Sequence, residues 1–280
     1  MGATVLCGGG IDSTVMLYEA VSQTEVDSIL FFDYGQTAAE IEKAAIVTVS
    51  HRIGLRDKVT CVRMPFHALK QTDHYLCDNR NILFDCRYVN LVKGDSPNLS
   101  DERKVEDHIV PYRNLVFLSY ALSHAVTLGC ASVWTGFDAS ASNPARDETQ
   151  VTLGHAMKAF SCATMPEYTP INLVTPLNIP SKIKVCGPWK ARGAGQKGAI
   201  SLGGRLGVPF DMTWSCFNRC SPKHCGICGK CVARLEAFKS LDMRDPAKYW
   251  TMTEMIDKIG CDIAIAPELE ELHAYHGLIR

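Results

Sequence analysis

The sequence has no hydrophobic run long enough to cross a lipid bilayer. Its longest apolar stretches, residues 26–32 and 115–122, end well short of the roughly 20 residues that a membrane-spanning helix needs. The first seven residues carry no Lys or Arg, and their apolar run ends in glycines, which is not the pattern of a secretory signal. We therefore expect a cytoplasmic protein with no membrane partner.

An excess of charge of one sign is also lacking. The chain has 29 Lys and Arg against 30 Asp and Glu, which gives a formal net charge of -1. This balance argues against a large nucleic-acid-binding surface. A hydrophobic fraction of 46% over 280 residues excludes a low-complexity or disordered chain. We expect a compact globular protein.

Apolar runs alternate with segments of helical composition along the chain. Residues 3–7 form a predicted strand, glycines follow, and residues 12–19 form a predicted helix. Residues 87–92 are predicted to form an irregular excursion or a small hairpin. Strands that alternate with helices predict an α/β fold with a mostly parallel sheet covered on both faces. The remaining predicted strands are 27–32, 59–64, 132–137 and 171–177, and the remaining helices are 38–53, 114–128, 153–162 and 197–206.

A glycine-rich loop joins the first predicted strand to the first helix. It consists of Gly8, Gly9 and Gly10, with Asp12 and Ser13 at the start of the helix. Glycines let the backbone approach an anion, and the amides at a helix N-terminus point toward it, so the loop favours phosphate binding. It is neither a Walker A loop nor the dinucleotide G-x-G-x-x-G motif. A tight turn without a ligand is the structural alternative.

Cysteines cluster near the C-terminal end. The total of 13 is odd, and the chain is long, which favours reduced thiols and a metal site over a disulfide framework. The spacing of Cys216, Cys225, Cys228 and Cys231 suits tetrahedral coordination, and we expect a closed structural Zn²⁺ site. An iron–sulfur cluster uses the same ligand set. Cys220 is an alternative to Cys216 as the fourth ligand.

Several motifs are collinear with those of a known enzyme family. Over most of residues 3–238 the sequence resembles the 7-cyano-7-deazaguanine synthase (QueC) family, which belongs to the N-type ATP pyrophosphatases. The resemblance implies a Rossmann-like sheet of the adenine nucleotide alpha hydrolase type and ATP binding at residues 8–13. The motifs are Asp12-Ser13 after the glycines, Asp33-Tyr34-Gly35-Gln36 followed by Glu40, Val110-Pro111-Tyr112-Arg113-Asn114, and Thr213-Trp214-Ser215-Cys216.

The family resemblance implies an ATP-dependent carbon–nitrogen ligase that serves queuosine biosynthesis. Such an enzyme activates the carboxylate of 7-carboxy-7-deazaguanine with ATP, amidates it with ammonia, and dehydrates the amide to the nitrile 7-cyano-7-deazaguanine. The implied cofactors are ATP, Mg²⁺ and Zn²⁺. The implied partners are the small-molecule acid, ATP, an amine donor and a second copy of the chain in a homodimer.

The resemblance also assigns roles to individual residues. The implied catalytic residues are Asp12, Ser13, Arg113 and Lys197, with Asp12 holding Mg²⁺ or orienting the loop and Lys197 neutralising phosphate charge. The implied nucleotide-binding residues are Gly8, Gly9, Gly10, Asp12, Ser13, Asp33 and Gly136. The implied substrate-binding residues are Tyr34, Gln36, Glu40, Asn114 and Asp138, where Tyr34 stacks on the base and the polar side chains pair with its edge. The zinc ligands are Cys216, Cys225, Cys228 and Cys231.

The sequence departs from the family at four places. Gly8 replaces the first serine of the family's phosphate-binding loop, and residues 142–147 replace a Tyr-Pro-Asp-Cys-Arg-type segment. Residues 182–196 and 245–280 exceed the family core. We therefore expect a catalytic domain at 1–212, a zinc segment at 213–240 and an extension at 241–280.

These departures leave two other functions open. In the first, a QueC-like enzyme of antiviral defence passes the activated deazaguanine acyl group to another amine, such as a protein N-terminus. In the second, the chain is a tRNA-modifying or RNA-binding relative, since a four-cysteine knuckle can also grip nucleic acid.

Overall fold

The structure is a computed structural model that describes residues 2–64, 82–84, 89–91, 99–101, 110–137, 146–163, 170–175, 196–218, 222–259 and 263–278. Its strands are β1 (Ala3–Leu6), β2 (Val26–Asp33), β3 (Val59–Arg63), β4 (Ile82–Phe84), β5 (Val89–Leu91), β6 (Leu99–Asp101), β7 (Ser132–Trp134), β8 (Asn172–Val174) and β9 (Ile263–Ile265). Its helices are α1 (Ile11–Gln23), α2 (Ala39–Arg52), α3 (Arg113–Leu128), α4 (Gln150–Ala163), α5 (Gln196–Leu206), α6 (Gly229–Lys239), α7 (Met252–Ile259) and α8 (Pro267–His276). Among these described helices, none is both long and apolar enough to cross a membrane.

The central sheet has five parallel strands in the order β3-β2-β1-β7-β8. Successive residues of a strand point to opposite faces, and both faces are buried here. Val5 and Ile29 pack with α1, α2 and α5 on one face. Leu6 and Leu30 pack with α3 and α4 on the other face. The predicted α/β fold, a Rossmann-like sheet with helices on both faces, is confirmed.

A separate core holds the cysteine-rich segment together with the C-terminal region. The buried cysteines pack with Trp250, Met255, Leu269 and Leu272, which lie beyond residue 240. Burying each of these apolar side chains contributes about 1.5–3 kcal/mol. The described parts of residues 213–240 and 241–278 therefore share one core, and their division into two units stays a prediction.

The strand near residue 90 pairs differently from the local prediction. β5 pairs antiparallel with β9, in the C-terminal region, rather than with a neighbouring strand of a hairpin. Among the described residues, the hairpin alternative is therefore not seen, and the other alternative, an irregular excursion, stays a prediction. The physical reason is that a short apolar run carries no information about a distant partner, whereas a hairpin is set by local turn residues.

Candidate functional site

A cavity of about 640 Å³ opens at the carboxyl ends of β1, β2 and β7. The first turns of five helices reach it, and they contribute Asp12, Glu42, Arg113, Gln196 and Lys230 to its wall. Helix N-termini carry partial positive charge, and ligands of open parallel sheets bind at this edge. The cavity is therefore suited to an anionic ligand.

The backbone of the glycine loop has a conformation that requires glycine at position 9. Gly9 has a φ of 77°, and a Cβ there would lie 2.6 Å from the carbonyl oxygen of Glu42. The Ser13 hydroxyl donates a hydrogen bond to the Gly10 carbonyl (3.3 Å) and accepts one from the Gly8 amide (3.2 Å). Gly8 itself is exposed, and a Cβ there would meet no atom within 4 Å. The loop is thus fixed from within and open toward the cavity.

Two other segments support this loop from behind. A Cβ at Gly136, which follows β7, would lie 2.7 Å from the Ser13 amide nitrogen and 2.9 Å from the Asp12 carbonyl carbon. The Trp214 amide donates a hydrogen bond of 2.8 Å to the carbonyl of Gly9. Gly136 therefore allows a backbone-to-backbone contact with the first turn of α1.

Arg113 supplies the cavity with a fixed positive charge. Its Nη1 donates to the Tyr34 hydroxyl (3.1 Å), and its guanidinium carbon lies 5.2 Å from the centre of the Tyr34 ring and 6.0 Å from that of Phe117. Burial alone would lower the pKa of Arg113, but Tyr34, Glu148 and Asp147 outweigh burial and raise the pKa. The guanidinium is therefore charged and held in place.

Asn114 is bound on several sides by the protein. Its amide N–H donates to Asp147 Oδ2 (2.9 Å), and its side-chain nitrogen donates to Asp147 Oδ1 (3.2 Å) and Glu148 Oε1 (2.8 Å). Its Oδ1 accepts from Arg113 Nε (3.2 Å). Asp147 thus caps α3, and Asn114 orients Arg113. Contact between Asn114 and a substrate stays a prediction.

Gln36 is likewise engaged within the protein. Its side-chain nitrogen donates to the Phe32 carbonyl (3.1 Å) and to Glu42 Oε2 (2.9 Å), and its oxygen accepts from the Tyr34 amide (2.9 Å). Both protons of the amide are therefore used, so Gln36 holds Glu42 in position. The predicted pairing of Gln36 with a base edge would need these bonds to rearrange.

Glu42 is the acidic residue of α2 that faces the cavity. It is partly buried, and burial raises the pKa of its carboxyl, while Gln36 and Arg113 lower it. Glu40, which the sequence favoured, is exposed and is not part of the cavity wall. Glu40 and Glu42 are two positions apart in α2, which places their side chains about 200° apart around the helix axis. Only one of them can therefore face the cavity.

The cavity brings most of the sequence-predicted residues together. Asp33 lies outside its wall, where its carboxylate accepts from the Gly35 amide (3.1 Å) and lies 3.7 Å from Arg63. Asp138 lies outside the described residues. The predicted residues that line the cavity are Gly8, Gly10, Asp12, Ser13, Tyr34, Gln36, Arg113, Asn114 and Gly136, whereas Gly9, Asp33, Glu40 and Lys197 do not line it. The wall residues that the sequence did not single out include Glu42, Glu148, Gln196 and Lys230.

The four predicted cysteines lie together and can hold a metal ion. The sulfur atoms of Cys216, Cys225, Cys228 and Cys231 are buried and lie within 4.8 Å of one another. Three sulfur pairs are separated by 3.5, 3.8 and 3.9 Å. A tetrahedron with Zn–S bonds of about 2.3 Å has sulfurs about 3.8 Å apart, so the set is compatible with zinc. Cys220, the alternative ligand, lies outside the described residues.

A bound cation would change the protonation state of the sulfur cluster. Burial raises the pKa of Cys228 and raises that of Cys231 well above its usual value. A bound divalent cation favours the thiolate forms that ligate it. The cluster adjoins the cavity, because Cys216, Gly229 and Lys230 form part of the wall.

His224 connects the cysteine segment to the C-terminal region. Its ring stacks 4.3 Å from the Trp214 ring and lies 5.2 Å from the Tyr249 ring, measured between centroids. Burial lowers the pKa of His224 to about 3, so the ring is neutral near pH 7. Its Nε2 accepts from the Ser215 amide (3.2 Å). His224 therefore holds the backbone beside Trp214.

Comparison with known proteins gives one consistent result. The family described as "Queuosine biosynthesis protein QueC" matches residues 2–242. A 7-cyano-7-deazaguanine synthase of Koribacter versatilis is 31% identical over 254 residues, covering 88% of this chain and 92% of the relative. One of Clostridium kluyveri is 34% identical over 250 residues, covering 88% and 97%. The glycine loop, the cavity and the four-cysteine cluster therefore lie in a chain that belongs to the QueC family.

Proposed function

We propose that this protein is an ATP-dependent carbon–nitrogen ligase that converts 7-carboxy-7-deazaguanine to 7-cyano-7-deazaguanine through an amide. Family membership and the names of the relatives support the reaction class. The single observation that carries the proposal is the convergence of helix N-termini and the partly buried Arg113 on one cavity. Such a site stabilises the negative charge that phosphate activation of a carboxylate develops.

The glycine loop is the proposed phosphate site. ATP, when bound, supplies the activation of the carboxylate. The Gly10 amide and the N-terminus of α1 would hold its phosphates, since the loop is fixed in shape and Gly8 leaves it open to solvent. Asp12, in the first turn of α1, would hold the accompanying Mg²⁺. Arg113 would neutralise charge on the reacting carboxylate or phosphate.

The side of the cavity near Tyr34 is the proposed base site. Tyr34 and Phe117 provide aromatic surface for a flat heterocycle. Glu42 Oε2 is held by Gln36, and Oε1 makes no hydrogen bond within the described residues. A carboxylate in this arrangement suits the ring N–H and exocyclic amine of a 2-amino-4-oxo pyrimidine ring. The cysteine cluster, filled by Zn²⁺, would hold the adjoining wall without taking part in the reaction.

The proposal is tested by incubating the zinc-loaded protein with Mg-ATP and 7-carboxy-7-deazaguanine, with and without ammonium, and following nucleotide and base by mass spectrometry. We expect AMP and the nitrile to appear only when ammonium is present. Absence of ATP consumption with any 7-deazaguanine acid would contradict the proposal.

A second candidate is acyl transfer to a different amine, such as a protein N-terminus. The observation that favours it is the position of Glu148, which lines the cavity and directly follows residues 142–147, the segment that departs from the family pattern. ATP cleavage with an accumulating activated acid or amide, but without nitrile, would support this candidate over the first.

A further inference from the structure

Arg234, on α6, is fully buried and makes more hydrogen bonds than a packing role requires. Its Nη2 donates to the Phe210 carbonyl (2.7 Å). Its Nη1 donates to the Thr213 hydroxyl (2.8 Å), the Thr213 carbonyl (3.3 Å) and the Ser215 hydroxyl (3.2 Å). A planar guanidinium can bind several oxygens at fixed angles, so Arg234 sets the path of residues 210–215.

Residues 210–215 form the support behind the glycine loop. The Trp214 amide binds the Gly9 carbonyl at 2.8 Å. On the other side of the same residue, the Trp214 carbonyl oxygen lies 3.5 Å from the position that a Cβ at Gly10 would occupy. A shift of this segment therefore moves the loop that we propose to bind phosphate.

Asp245 orients Arg234 from the C-terminal region. Its two oxygens pair with Arg234 Nε (2.6 Å) and Nη2 (2.9 Å), and both side chains are 0% exposed. Tyr249 donates to Asp245 Oδ2 (2.6 Å), and the Asp245 amide donates to His276 Nδ1 (3.0 Å). The partner that orients Arg234 is thus itself held by residues up to α8. The family match ends at residue 242, before Asp245.

We propose that Arg234 is a positioning residue for the nucleotide-binding loop and that Asp245, in the C-terminal region, fixes its orientation. Residues beyond 242 then act on the active site without touching substrate. This inference rests on the proposed use of ATP at residues 8–13. An apolar pair of similar volume can replace a buried ion pair without loss of stability, but it cannot bind the oxygens of residues 210–215.

The test is the double variant Arg234→Met/Asp245→Leu, measured as the zinc-loaded full chain. Calorimetry gives its affinity for a non-hydrolysable Mg-ATP analogue, and kinetics give kcat and the KM for ATP. We expect affinity and kcat/KM to fall by roughly 10- to 100-fold. A displacement of about 1 Å in a catalytic arrangement has an effect of this size on the rate. Zinc content should stay close to that of the unmodified protein, and the thermal transition should stay cooperative with a lower midpoint, because the buried partners of Arg234 and Asp245 lose hydrogen bonds.

The matched control is Lys223→Met/Glu254→Leu. This ion pair is also 2.6 Å long and also joins the cysteine segment to the C-terminal region, but its side chains are 33% and 38% exposed. We expect no change in nucleotide affinity. If the Arg234 variant fails to fold, Thr213→Val removes the hydroxyl that accepts from Arg234 Nη1 (2.8 Å) and donates to the Phe210 carbonyl (2.8 Å), and its affinity should fall severalfold.

The outcomes separate the two proposals. If the unmodified protein does not bind the Mg-ATP analogue, the proposed function fails. If it binds and the Arg234 double variant, or Thr213→Val in its place, binds equally well, the positioning role is overturned. Lower affinity in both the Arg234 and Lys223 double variants would also overturn it, because general loosening of the C-terminal region would then explain the effect.

Discussion

Replacing Gly136 by alanine should disable the proposed nucleotide site. The new Cβ would lie 2.7 Å from the Ser13 nitrogen, 2.9 Å from the Asp12 carbonyl carbon and 2.9 Å from Ser13 Cα. Ordinary van der Waals contact begins at 3.4 Å, so the two backbones must separate by 3.4 minus 2.7, or 0.7 Å. All three neighbours are backbone atoms, and no side-chain rotation can relieve the overlap.

The magnitude of this effect follows from the displacement. Overpacking of this kind costs about 1–3 kcal/mol of stability. Because a misplacement of about 1 Å in a catalytic arrangement costs roughly 100-fold in rate, moving the first turn of α1 should lower kcat/KM for ATP by roughly 10- to 100-fold. The fall in kcat/KM should therefore be larger than the fall that a smaller folded fraction of the variant would cause.

The assay combines steady-state kinetics with thermal unfolding of Gly136→Ala. The matched control is Gly204→Ala, since Gly204 is exposed on α5 and a Cβ there meets nothing within 4 Å. The control should keep full activity. If Gly136→Ala bound and used ATP as well as the unmodified protein, the close contact between β7 and α1 would have no functional meaning, and this reasoning would be refuted.

Three further predictions concern stability, substrate and metal. Gly203→Ala should lower the midpoint of thermal unfolding, because its Cβ would lie 2.6 Å from the Phe210 ring, while Gly204→Ala should raise stability by up to about 1 kcal/mol. Glu42→Gln should lower kcat/KM for 7-carboxy-7-deazaguanine by roughly 10- to 100-fold, because a hydrogen bond to a charged group contributes about that much. With an analogue that lacks the 2-amino group, the same variant should show no such loss. Cys228→Ser should lose bound zinc in elemental analysis and broaden the thermal transition, and retained stoichiometric zinc would contradict the assigned ligand set.

Local sequence pattern was sufficient to predict the sheet, the glycine loop and the cysteine cluster. Each depends on residues close together in the chain, such as Gly8–Gly9–Gly10 at a strand-to-helix junction or Cys225 and Cys228 at short spacing. The choice between Glu40 and Glu42 depended instead on which face of α2 is turned toward the cavity. The sequence of α2 does not separate apolar from polar residues clearly enough to predict that face. The close packing of Gly9 against the Glu42 carbonyl settles that rotation, and it is a tertiary contact.

The role of the C-terminal region could not be predicted from the sequence either, because it also depends on a tertiary contact. Nothing in the sequence near Asp245 indicates that its partner is Arg234 or that the pair is buried. Arg234 follows Cys231 on α6 and donates hydrogen bonds to residues 210–215, which support the glycine loop. The pair therefore connects the cysteine segment, the C-terminal helices and this support in one hydrogen-bonded unit. A metal ion in the cluster would therefore stabilise the proposed nucleotide site as well as its own segment, and we expect loss of zinc to weaken binding of Mg-ATP before the central sheet unfolds.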